Sequence, residues 1–145
     1  MTLVSEDRVT STDDAPTTAG ASERGDFIRR LAIRTVERSR AELRTEIDIG
    51  PEHHNPNGVA QGGVLYTVAD SSMAGALHQH LETGESSATI EVKIVYTAPV
   101  RTGTVTCTTR VLHRGRRVAT LESEMHLGDR LVAKALGTFA ILEPR

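Results

Sequence analysis

The segment richest in chemistry runs His53-His54-Asn55-Pro56-Asn57-Gly58-Val59-Ala60-Gln61-Gly62-Gly63 and leads directly into an apolar stretch with a helical period, Gly63 to about Leu81. The first amides of a helix have no intrahelical acceptor, and the macrodipole gives that end positive character. Two adjacent glycines there let a ligand approach the backbone closely. Such a terminus suits an anion, including one that develops only in a transition state. Asn55 offers a side-chain amide that can reach back as a second donor. A plain Gly-rich turn entering a helix is the alternative reading, because glycine is common at turns.

Asp70 lies about two turns into the same helix, at the edge of the apolar face beside Tyr66, Leu77 and Leu81. An unpaired carboxylate there carries a desolvation cost, and aspartate is a poor helix former. A residue that breaks both rules is a candidate for function. Burial would raise its pKa, as a general base or carboxylate nucleophile requires. An exposed carboxylate, or one bonded to Ser71, Ser72 or a neighbouring strand, is the bland alternative.

The elements around this helix read as strands. Leu43, Thr45, Ile47 and Ile49 alternate with polar residues, as do Ile90, Val92, Ile94 and Tyr96. Further files are Val105, Cys107, Thr109 and Val111, then Ala119 to Leu127, then Leu131 to Ile141. Period-two patterning describes strands with one buried face. Arg114-Gly115 and Gly128-Asp129 supply turns, so the last three strands form an antiparallel meander. A short helix or turn is expected near Asp26–Arg30, and Gly84 suits the exit of the long helix. One sheet has one face to cover, and one apolar helix can cover it, which gives an α+β architecture with the sheet curled around a central helix.

The rest of the chain narrows the function classes. Its 145 residues allow one domain, over 25–145, and the polar, Ser/Thr/Asp-rich residues 1–24 read as a disordered tail. Seventeen basic against nineteen acidic residues give a net charge of -2, which provides no field for nucleic acid. No apolar run reaches the roughly 18 residues of a membrane span, and no secretory signal is visible. A lone cysteine, Cys107, fits a strand core and points to a cytoplasmic protein. His53, His54, His78 and His80 do not have zinc spacing and read as exposed loop or helix-surface histidines, so no metal is expected. The cluster His113-Arg114-Gly115-Arg116-Arg117 is either a solvated hairpin tip or a seat for phosphates, with Arg101 as a further contributor.

The run HNPNGVAQGGVLYTVADSSM, followed by SATIEVKIVYTAP over 87–99, resembles the signature of the PaaI-type hotdog thioesterases, which include phenylacetate-degradation and 4-hydroxybenzoyl-CoA thioesterases. The likeness covers about residues 27 to 142. It implies a hotdog fold, a homodimer or dimer of dimers, and an active site at the subunit interface. It further implies hydrolysis of an acyl-CoA thioester, coenzyme A being part of the substrate rather than a cofactor. In that reading Gly62 polarises the thioester carbonyl and Asn55 assists. Asp70 of the partner acts as base or nucleophile, and Thr89 orients water. Gly63, His54, Arg114, Arg116 and Arg117 are the expected substrate-binding positions. Gln61 stands where many relatives have His, so it can hold the carbonyl or the loop but not act as an acid. Alternatives are an enoyl-CoA hydratase or dehydratase on the same fold, and a non-catalytic acyl-CoA-binding protein.

Overall fold

The computed structural model describes residues 25–144; the tail expected over residues 1–24 lies outside them. Elements run α1 (Asp26–Arg30), β1 (Arg34–Arg38), β2 (Leu43–Ile49), a 3-10 turn (Pro51–His53), α2 (Gly62–His78), β3 (Ser86–Tyr96), β4 (Gly103–Arg114), β5 (Val118–Leu127) and β6 (Arg130–Leu142). The strands form one antiparallel sheet of order β1-β2-β4-β5-β6-β3, which wraps α2 in the hotdog arrangement. The meander β4-β5-β6 is present as expected, and a two-residue turn with Gly128 at φ 58 joins β5 to β6.

Alternation sets the core. In β2, Leu43, Thr45, Ile47 and Ile49 are buried while Arg44 and Asp48 face out. Leu65, Val68, Ala69, Met73, Ala76 and Leu77 of α2 pack onto Val105, Leu121, Met125, Ala135 and Phe139 of the sheet. Gly137 leaves room for the helix: a Cβ there would lie 2.4 Å from the Met73 sulfur. A line of hydroxyls runs through this core, with Thr45 and Ser72 paired at 2.6 Å and Thr109 and Ser123 at 2.7 Å, and the Cys107 thiol lies against Thr109. Each polar atom finds a partner, so the file is buried without an orphan.

Four details depart from the sequence reading. β1 is a strand that no alternation announced, because Val36 is the one apolar residue among Arg34, Thr35, Glu37 and Arg38 and is itself exposed. The helix ends at His78, and Gly84 instead makes the turn into β3 at φ 85. Ile90 leaves its expected file: the β3–β6 register slips between Thr89 and Glu91, so Ile90 bulges out and is 58% exposed. His53 is buried rather than exposed, with its Nδ1 accepting the Gly50 N–H at 3.1 Å.

Candidate functional site

The N-terminus of α2 is open. Gln61 is the N-cap residue and makes no capping hydrogen bond through its side chain, so the Gly62 and Gly63 amides keep their donor capacity. A Cβ on Gly63 would meet nothing within 4 Å, which leaves room for a ligand at the backbone. Gly62 is different. The Tyr96 hydroxyl donates to the Gly62 carbonyl at 2.7 Å, and a Cβ on Gly62 would sit 3.0 Å from that oxygen. Gly62, Leu65 and Tyr96 line a cavity of about 340 Å³ with Val59, Ala60 and Val100.

The loop ahead of the helix is held from within. Asn55 Oδ1 accepts the Asn57 N–H at 2.9 Å, and the Asn55 N–H donates to the Val59 carbonyl at 2.8 Å. The side-chain oxygen of Asn55 is thus committed to the loop, which leaves its NH₂ as the group that can donate outward. The His54 ring bonds the Arg101 carbonyl, and the Arg101 guanidinium donates to the Gly58 carbonyl at 3.3 Å. Both residues therefore tie the 53–61 loop to the segment after β3. Gln61 donates its backbone N–H to the His53 carbonyl at 2.8 Å, and its side chain is left in solvent.

Asp70 is half-buried on the face of α2 toward β3. The Thr89 hydroxyl donates to its Oδ1 at 2.7 Å, and among the described residues no other donor reaches the carboxylate. The carboxylate is therefore bonded to a neighbouring strand, one of the open alternatives, while its second oxygen stays available. Asp70 lines a cleft of about 550 Å³ that continues along α2 past Ser71, Ala74 and His78 to Ile28 of α1.

The bulge at Ile90 explains how one strand serves both places. Thr89 and Tyr96 are an odd number of residues apart, which in a regular strand puts them on opposite faces. The extra residue corrects the parity: Thr89 pairs with Phe139 and Tyr96 with Ala133, both inward-facing on β6. Tyr96 was not singled out by sequence reasoning, since an aromatic at the end of a strand is ordinary strand composition.

The basic hairpin is only partly free. Arg114 pairs with Glu85, which sits at the start of β3 and on the rim of the Asp70 cleft. The Glu82 backbone N–H and then the Arg114 guanidinium hold the Glu85 carboxyl below its ordinary range. Arg114 is thus engaged with Glu85, while Arg116 and Arg117 at the tip are exposed.

Within one chain the diglycine and Asp70 do not converge. They lie eight residues apart on α2, about 12 Å of helix rise, and face separate cavities.

Comparisons with known proteins agree with this architecture. A family model described as the thioesterase superfamily matches residues 57–134. A Pseudomonas aeruginosa protein provisionally named an esterase is 32% identical over 99 residues, 68% of this chain and 74% of that one. The solved structure of another conserved P. aeruginosa protein superposes with a TM-score of 0.81 at 33% identity, over 86% of this chain and 99% of that one. A Ralstonia eutropha structure, provisionally described as a thioesterase related to phenylacetic acid degradation, has a TM-score of 0.74 at 25% identity, over 88% and 93% of the two chains. The six-stranded sheet around one long helix and the matched segment from the diglycine loop to β6 together place this chain in the thioesterase superfamily.

Proposed function

We propose that the protein hydrolyses an acyl-CoA or aryl-CoA thioester to the free acid and coenzyme A, as a PaaI-type member of its superfamily, at sites shared between two copies of the chain. The observation that carries this reading is the carboxylate of Asp70, anchored through one oxygen by Thr89 on the rim of a cleft large enough for an acyl group.

The chemistry follows from the groups present. Asp70 takes a proton from water as the water oxygen attacks the thioester carbon, and the Thr89 hydroxyl oxygen can accept from the same water. Charge collects on the carbonyl oxygen, where the Gly62 and Gly63 amides receive it. Collapse of the tetrahedral species expels the coenzyme A thiolate. Alternatively Asp70 attacks the thioester carbon directly, the C–S bond breaks to release the coenzyme A thiolate, and water then cleaves the resulting anhydride to the free acid and Asp70. A positioned base contributes about 10²–10⁴-fold, and one preorganised oxyanion donor about 2.7–4 kcal/mol. Asn55 and Gln61 border the carbonyl position, and Arg116 and Arg117 offer charge to the nucleotide phosphates.

The edge strand β3 supports pairing of two copies. Among the described residues it has no neighbour along one side of its eleven residues, and it exposes Val95 and Tyr96. Antiparallel pairing of two such edges about a two-fold axis sets the Tyr96 end of one beside the Ser86 end of the other. That brings the diglycine of one copy toward Asp70 of its mate. A dimer of dimers is the larger assembly expected.

A panel of acyl-CoA thioesters with a free-thiol assay tests the reaction. Thiol release that depends on Asp70 is the expected result. Hydration of crotonyl-CoA without thiol release would assign a hydratase, and binding without either reaction would assign a carrier or sensor.

A further inference from the structure

The geometry points to Tyr96 as a positioning residue for the diglycine: its hydroxyl, bonded to the Gly62 carbonyl, orients and polarises the Gly62–Gly63 peptide so that the Gly63 N–H acts as a donor beside that of Gly62. The inference rests on the thioesterase reading of the site.

The carbonyl of Gly62 and the N–H of Gly63 belong to one planar, resonance-coupled peptide unit. A hydrogen bond accepted at the oxygen draws electron density from the nitrogen and makes the N–H a stronger donor, by about 10–30% per bond. Tyr96 supplies that bond at 2.7 Å. The preceding peptide is treated in the same way, because the Gln61 carbonyl accepts the Val64 N–H at 2.9 Å, which acts on the Gly62 N–H. Two consecutive peptide units are thus anchored at their oxygens and carry amides at an uncapped helix start.

Tyr96 also fixes the place of this turn. Its ring and hydroxyl lie 3.0–3.4 Å from where a Gly62 Cβ would be, so a larger residue there would push the Tyr96 ring back by a few tenths of an ångström. Partial burial pushes the Tyr96 phenol above its ordinary value of 10.0, which keeps the hydroxyl a donor through neutral and mildly alkaline pH. The same strand holds Asp70 through Thr89. β3 therefore grips α2 at both of its working points, and only the one at Tyr96 touches the oxyanion side.

Tyr96→Phe keeps the ring and removes the donor. In the thiol-release assay kcat should fall about 3- to 10-fold, the range for one lost hydrogen bond, with KM within about twofold. In ¹H–¹⁵N spectra of the full chain the Gly63 amide proton should move upfield, a change that simple loss of packing would not single out. An active wild type with an unchanged kcat in Tyr96→Phe overturns the inference, whatever the unfolding midpoint does. A wild type that releases no thiol from any acyl-CoA overturns the reaction assignment instead; the Gly63 resonance then decides whether Tyr96 polarises the peptide.

Discussion

At the scale of residues, the carboxylate and its strand partner divide the work unequally. Asp70→Ala should lower kcat by at least about 10²-fold with the unfolding midpoint little changed, because the group is half-buried and anchored by a single bond. Thr89→Val should cost less, since the carboxylate remains. Steady-state kinetics beside thermal melts would check both, and turnover retained in a folded Asp70→Ala variant removes the residue from the mechanism. Asp70 was legible in the sequence because a mid-helix aspartate on an apolar edge breaks two rules at once. The pairing of Arg114 was not foreseen, because its partner, Glu85, lies 29 positions away along the chain and no local pattern announces such a pair. Tyr96 gave no signal at all, because its importance depends on a carbonyl 34 residues earlier.

At the scale of elements, the sheet and the long helix were readable wherever one face is buried and the other wet. They became illegible at the edge strand β1, where one apolar residue stands among polar ones; the other edge, β3, was read as a strand and only its register was missed. The bulge was invisible for a related reason: Ile90 continues the apolar file by residue type and leaves it only through register. Its consequence can be tested directly. Deleting Ile90 leaves Thr89 and Tyr96 six positions apart, an even spacing that keeps both facing α2 in a regular strand opposite Phe139 and Ala133, so kcat should stay above that of Thr89→Val while circular dichroism retains the sheet. A deletion variant with turnover as low as Thr89→Val would show that the bulge, and not the parity it corrects, aims Thr89.

At the scale of the whole molecule, one ion pair ties the start of β3 to the end of β4 and answers to pH. Glu85 titrates below its ordinary value of 4.5 in the folded chain, so its contribution to stability is complete above that value. It is lost as pH falls through the lowered folded pKa. Melting curves of wild type and Glu85→Gln should differ at neutral pH and converge once pH has fallen below the lowered folded value. Curves that stay apart in acid would mean that the pair acts through packing rather than charge. A different consequence follows from the stretch of α2 that separates the diglycine from Asp70. On the proposed two-copy site, a chain damaged at one end can lend its intact end to a mate damaged at the other. Asp70→Ala and Gly62→Ala proteins, unfolded together and renatured at equal amounts, should then exceed either variant alone and approach about a quarter of native turnover through hybrids with one sound site. On the same proposal, specific activity should fall on dilution as pairs come apart.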